Sequence, residues 1–151
     1  MADRDADLLD LLAAHESAIK RLYEAFARRF PERAGLWRGI AAEEQRHADW
    51  LSGLRDTATP AARSWLASRF KAQAIRLSTA YVEERTAAAG SGALDLRGAL
   101  SVSRDLENAL LERQFSRLDE AVPAALRPVL RDLAAETDGH RRAFDAALAA
   151  L

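Results

Sequence analysis

No cysteine occurs among the 151 residues, which excludes disulfides, thiolate nucleophiles, iron–sulfur clusters and a four-cysteine iron site. A metal held by this chain must therefore be held by carboxylate and imidazole. Glycine (7) and proline (4) are scarce and grouped at a few places, and Ala, Leu, Glu and Arg dominate, so helix is expected rather than sheet. An excess of one charge is missing too. The 22 Lys and Arg nearly cancel the 23 Asp and Glu, leaving a net charge of −1 with no long-range pull toward nucleic acid or an anionic membrane, and neither partner is expected. Continuous apolar runs are also absent. The opening MADRDADLLDLLAAHES is acidic with spaced apolar residues, so it reads as neither signal peptide nor membrane span, and a cytoplasmic location is the expectation. With 49% hydrophobic and 30% charged residues, the length suits one domain, 1–151, able to bury a core of its own.

What is present is helical periodicity. Leu9, Leu12, Glu16, Ile19, Tyr23, Phe26 and Phe30 recur at steps of three and four and trace one stripe along a first helix that Pro31 ends. Trp37, Ile40, Glu44, His47, Leu51 and Leu54 form a second stripe that stops at the Thr57 to Pro60 break, and a short turn predicts an antiparallel hairpin over about 4–56. Thr59 followed by Pro60 reads as a cap and first helical residue, opening a partly helical crossover over about 60–92 that ends at Gly90-Ser91-Gly92. Asp95 can cap a third stripe carrying Leu100, Glu107, Leu111, Gln114 and Leu118. After Pro123, a fourth carries Leu126, Leu130, Leu133, Thr137, His140, Phe144, Ala147 and Leu151, giving a second hairpin over about 95–150. Two hairpins and one long connection are what an antiparallel four-helix bundle with a single crossover requires. The halves also match each other: LWRGIAAEEQRHADWL (36–51) aligns without gaps to VLRDLAAETDGHRRAF (129–144), pairing Glu43 with Glu136 and His47 with His140, as an internal duplication would.

Acids interrupt these apolar lines. Glu44 and His47 form a Glu-x-x-His pair one turn apart on the inward stripe, where they can grip one ion. Glu16, Glu107 and His140 hold the inward positions of the other three helices. Burying a lone carboxylate costs several kcal/mol (roughly) even after relaxation, and no Lys or Arg lies on these stripes to compensate. A cation such as iron, manganese or zinc is the economical answer; glutamates that are protonated, hydrated, or near a bundle end are the alternative. His15, beside Glu16, reads as a surface histidine or one that supports a ligand, and Trp37, Trp50 and Trp65 as packing or interface residues. Glu83 and Glu84 read as a solvated face.

Taken together, HESAIKRLYEAFA, EEQRHADWL and the histidine of the last helix resemble the ferritin-like superfamily, nearest the erythrin domain of rubrerythrin-type di-iron carboxylate proteins, over nearly the whole chain. Position by position, the resemblance implies Glu16, Glu44, His47, Glu107 and His140 as metal ligands and Tyr23 as a catalytic tyrosine near them. A hydrogen-bonded core aromatic is the plainer reading of Tyr23. One ligand departs from the pattern: Thr137 stands where the family has its last glutamate, and Glu136, one residue earlier, serves as a ligand only if the helix phase shifts. The resemblance implies iron, as a pair or singly, or manganese, with oxidoreductase chemistry of peroxidase or ferroxidase type on dioxygen, peroxide or ferrous iron. It further implies a separate electron-donor protein, since no cysteine-bound iron module is present, and a homodimer. A metal-storage protein, or a helical scaffold whose site has decayed, is the competing expectation, and Thr137 favours it.

Overall fold

A computed structural model describes residues 7–110 and 122–151 of the chain, and every described element is helical. Helix α1 (Leu8–Arg29) starts on the Asp7 carboxylate, which accepts from the Leu9 N–H at 2.9 Å and also meets Arg63 of the crossover. The helix stops at Phe30, which precedes Pro31 and is driven out of helical geometry (φ −126°, ψ 77°). A single 3-10 turn, Pro31–Arg33, reverses the chain into α2 (Ala34–Thr57). Asp10 then faces Arg55 and Phe26 faces Trp37, so the first two helices run antiparallel as the sequence predicts.

Thr59 adopts the extended backbone that Pro60 demands and caps α3 (Pro60–Arg69), its hydroxyl accepting from the Ala62 N–H at 3.1 Å. The crossover then breaks at Phe70 and Lys71 before α4 (Ala72–Ala89), although neither glycine nor proline marks the place. Phe70 and Ile75 are both buried. In one continuous helix these positions would point about 140° apart, so the extended pair lets both reach the core. Contacts from His15 to Ser78 and from Arg21 to Glu83 advance together along both helices, which sets α4 parallel to α1 on its outer side. Gly92, at φ 78°, supplies the left-handed residue of the following turn.

Asp95 accepts from the Gly98 N–H at 2.7 Å and starts α5 (Leu96–Leu110), as expected from the sequence. Leu111, Gln114 and Leu118 of the expected third stripe lie outside the described residues. Helix α6 (Arg127–Ala149) returns antiparallel to α5, with Arg104 near Asp145 and Glu107 near His140. Its stripe is buried from Leu130 through Ala147, but Leu151 is exposed, so the seam ends before the residue that periodicity alone would include.

Helices α1, α2, α5 and α6 meet around shared buried side chains. Near the Pro31 turn, Trp37 packs on Phe26 (ring centroids 5.3 Å apart) and Phe30 (5.9 Å), and its indole N–H donates to Ser103 of α5 at 3.1 Å. Toward the other end Leu9, Leu12 and Leu51 close the core. The acidic positions therefore lie between two apolar layers, away from the ends of the helices. Among the described residues, no helix is long and apolar enough to cross a membrane.

Candidate metal centre

Glu16 from α1, Glu44 and His47 from α2, Glu107 from α5 and His140 from α6 are all buried, none more than 6% exposed. No Lys or Arg is among the buried charged residues described. Helical spacing explains the convergence: each occupies the inward stripe of its helix, and the short turn after α1 brings Glu16 opposite Glu44 and His47. Two groups result, one of Glu16, Glu44 and His47 and one of Glu44, Glu107 and His140, each with donor atoms within 4.8 Å of one another. Glu44 belongs to both. Its Oε2 lies 3.3 Å from Nδ1 of His47, and its Oε1 lies 3.1 Å from Nδ1 of His140.

The outer nitrogens of the two imidazoles decide what the inner ones can do. Nε2 of His140 meets Oε2 of Glu43 at 2.5 Å, and Nε2 of His47 meets Oε1 of Glu136 at 3.2 Å. An ionised carboxylate can only accept, so each Nε2 carries a proton and, in the neutral ring, each Nδ1 keeps its lone pair facing the buried carboxylates. Lone pairs opposed at these distances repel unless something positive lies between them. Moreover, neither oxygen of Glu44, nor Oε2 of Glu16, nor Oε2 of Glu107, nor Nδ1 of His140 has a hydrogen-bond partner. Short contacts among convergent O and N donors need something positive between them, and a metal ion can take that place from the protons that otherwise do.

Titration behaviour reports the same crowding. Burial and the charges of Glu44 and Glu107 push Glu16 well above the ordinary carboxylate range. Burial and Glu44 push Glu107 up to about 7, against the opposing pull of His140 and Tyr23. Burial alone would depress His140, yet the facing Glu107 and Glu44 carboxylates push it up to about 11. Glu44 is held below the ordinary range, because contacts with Glu16, His140 and His47 outweigh its burial. A chain without metal thus keeps protons where a cation fits, and a cation that binds must displace them.

Tyr23 is fully buried and donates its hydroxyl to Oε1 of Glu107 at 2.7 Å, holding that carboxylate from the side of α1. The sequence placed Glu136 among possible ligands, but the structure does not bring it into either group. It remains on the flank of α6, taking a 2.6 Å contact from Arg46 and the outer nitrogen of His47. The helix keeps its regular phase there, so no shift turns Glu136 inward. Thr137 is the residue that faces in, 4% exposed. His15 is buried rather than on the surface. Its Nε2 meets the Ser78 hydroxyl at 2.8 Å, and burial, opposed by the charge of Glu44, lowers its pKa to about 4. It lines a pocket of about 150 Å³ between α1, α4 and α5, together with Ser78, Ile75 and Leu106. The roles of Glu43 and Ser78 were not drawn from the sequence. For Glu43 the signal existed, since the internal alignment sets both Glu43 and Glu136 four residues before a histidine.

Fold and site together define an all-helical protein whose described residues include two buried glutamate–histidine groups able to hold a metal ion. Comparison with protein-family models, with curated proteins and with solved structures gives no match to the chain.

Proposed function

We propose that the protein is a ferritin-like, rubrerythrin-type metal protein: an antiparallel four-helix bundle of α1, α2, α5 and α6, with α3 and α4 as the crossover and iron or manganese in its core. The observation that carries the proposal is the set of buried carboxylate and imidazole atoms with no hydrogen-bond partner, converging from four helices. Glu16, Glu44 and His47 would hold one ion, Glu44, Glu107 and His140 a second, with Glu44 between them. When bound, a redox-active metal of this kind supplies electron exchange with dioxygen, peroxide or ferrous iron at an open coordination position. The chain's own residues do the rest. Glu43 and Glu136 orient the imidazoles through Nε2, Tyr23 presents a hydroxyl proton to Glu107, and the apolar layers above and below exclude bulk water. The pocket beside His15, about 150 Å³, is of a size for a small molecule.

A second reading is metal holding without turnover, favoured by Thr137, which withholds a carboxylate from the His140 side. The two separate by metal content after purification, followed by consumption of oxygen or peroxide with ferrous iron. Metal with rapid turnover, both lost in Glu44→Ala and His47→Ala, supports the oxidoreductase. Metal without turnover supports storage, and no metal under any condition leaves only a helical scaffold. Leu77 (62% exposed) and Tyr81 (46% exposed) on α4 support a homodimer formed on that face, which sedimentation of the wild type against Leu77→Glu tests.

A further inference from the structure

We infer that the centre takes up its second metal ion only together with a small exogenous carboxylate anion, which supplies at Thr137 the negative charge that α6 lacks. This rests on the reading of the cluster as a metal site. It follows from the observed symmetry of the two halves and from a charge count. The duplication pairs α2 with α6, and the contacts honour the pairing: Glu43 reaches the outer nitrogen of His140, while its counterpart Glu136 reaches that of His47. The two rings lie stacked, 22° from parallel with centroids 5.6 Å apart. Under the same exchange Glu44 maps onto Thr137, and both are buried. The carboxylate of Glu44 lies against the inner nitrogens of both histidines. Its counterpart position, one turn before His140 on the buried face of α6, carries a hydroxyl and no charge.

The buried cluster holds three carboxylates, of Glu16, Glu44 and Glu107, with no buried Lys or Arg beside them. Glu43 and Glu136 reach solvent, and Glu136 is also paired with Arg46, so they count little inside. One divalent ion leaves an excess of one negative charge, which a proton on a glutamate removes. Two divalent ions leave an excess of one positive charge among the buried groups, which the solvent-reaching carboxylates of Glu43 and Glu136 offset only weakly. A monoanionic carboxylate at the Thr137 side restores neutrality and supplies the oxygen donors that a glutamate there would have offered. Thr137 therefore determines the stoichiometry and makes the second equivalent depend on a ligand from solution.

The test is calorimetric titration of the chelator-stripped chain with manganese(II), in chloride-free sulfonate buffer at neutral pH, with and without acetate. Metal retained after desalting is counted by elemental analysis. The first equivalent is expected to bind regardless of acetate, and the second to tighten about tenfold for each tenfold rise in acetate. Thr137→Glu is expected to take two equivalents without acetate and to lose the dependence, while the uncharged Thr137→Val keeps it. A second equivalent indifferent to acetate in the wild type overturns the inference, as does a single equivalent at every acetate concentration or loss of the dependence in Thr137→Val. These outcomes leave the metal reading standing. Absence of any manganese binding overturns both. Should Thr137→Glu fail to fold, the wild type and Thr137→Val still decide.

Discussion

Glu43 of α2 accepts from the outer nitrogen of His140 in α6, 97 positions away in sequence, and so sets which nitrogen of that ring faces the buried acids. Glu136 does the same for His47, with Arg46 as a further partner that Glu43 lacks because Gly139 stands at the matching place. Carboxylates that orient a ligating imidazole typically govern metal affinity by about 10–100-fold. Glu43→Ala and Glu136→Ala are each expected to weaken metal binding by that much, while the partly exposed positions leave the fold intact. Competition against a chelator of known affinity measures it, and unchanged affinity in both variants would remove the orienting role.

The pH dependence of stability should reverse sign when metal binds. In the metal-free chain His140 holds its proton up to about 11 instead of its ordinary 6.5, so its contribution is full below 6.5 and fades as pH rises toward 11. Glu16, raised by burial, and Glu107, raised to about 7, likewise favour the folded state as pH falls toward their ordinary 4.5. His15, depressed to about 4 by burial, works the other way below 6.5, and Glu44 does so below 4.5. Metal-free protein is therefore expected to gain stability from pH 9 to pH 7, by about 1 kcal/mol per unit for each extra proton held, then to gain more slowly toward pH 4.5, where His15 opposes Glu16 and Glu107, and to weaken in stronger acid. Metal-loaded protein should lose stability over the same descent, because protons compete for the ligands. Urea unfolding at several pH values, with and without chelator, reads both slopes. Parallel slopes would mean that the metal does not bind at these residues.

Tyr23 touches one member of the cluster, through its 2.7 Å bond to Glu107. Tyr23→Phe removes a buried hydrogen bond to a carboxyl group and is expected to cost about 1–2 kcal/mol of metal-free stability. Metal content should hold, because the ring remains packed on Phe144 at 5.4 Å. If the hydroxyl serves the reaction as well, ferrous iron oxidation slows at equal metal loading. Equal rates would reduce Tyr23 to a core residue that steadies Glu107.

The helices and their inward stripes were legible in the sequence because a 3.6-residue period, a proline and a capping side chain are local signals, as at Pro31, Thr59 and Asp95. The inward direction of Glu16, Glu44, His47, Glu107 and His140 was legible for the same reason. The break at Phe70 was not, since it arises from the need to bury both Phe70 and Ile75 and carries no local mark. The burial of His15 depends on α4 lying against α1, a placement the crossover's own pattern does not encode. Glu136 illustrates a different limit. Its sequence position suggested a ligand, whereas a regular helix sends it to the flank, where it serves the opposite histidine instead.

Glu16 offers a direct trial of whether the acids are there for binding or for the fold. It is buried, its Oε2 has no partner, and the charges of Glu44 and Glu107 oppose its ionisation. A residue kept for stability would cost free energy when replaced. A residue kept for a metal burdens the metal-free fold, and an apolar side chain of similar volume should relieve the burden. Glu16→Leu is accordingly expected to raise metal-free stability by about 1–4 kcal/mol while weakening metal binding. Denaturant unfolding and metal titration of the same preparation check both halves. A Glu16→Leu chain that is several kcal/mol less stable (about the loss a core cavity causes) would mean that this carboxylate serves the packing itself.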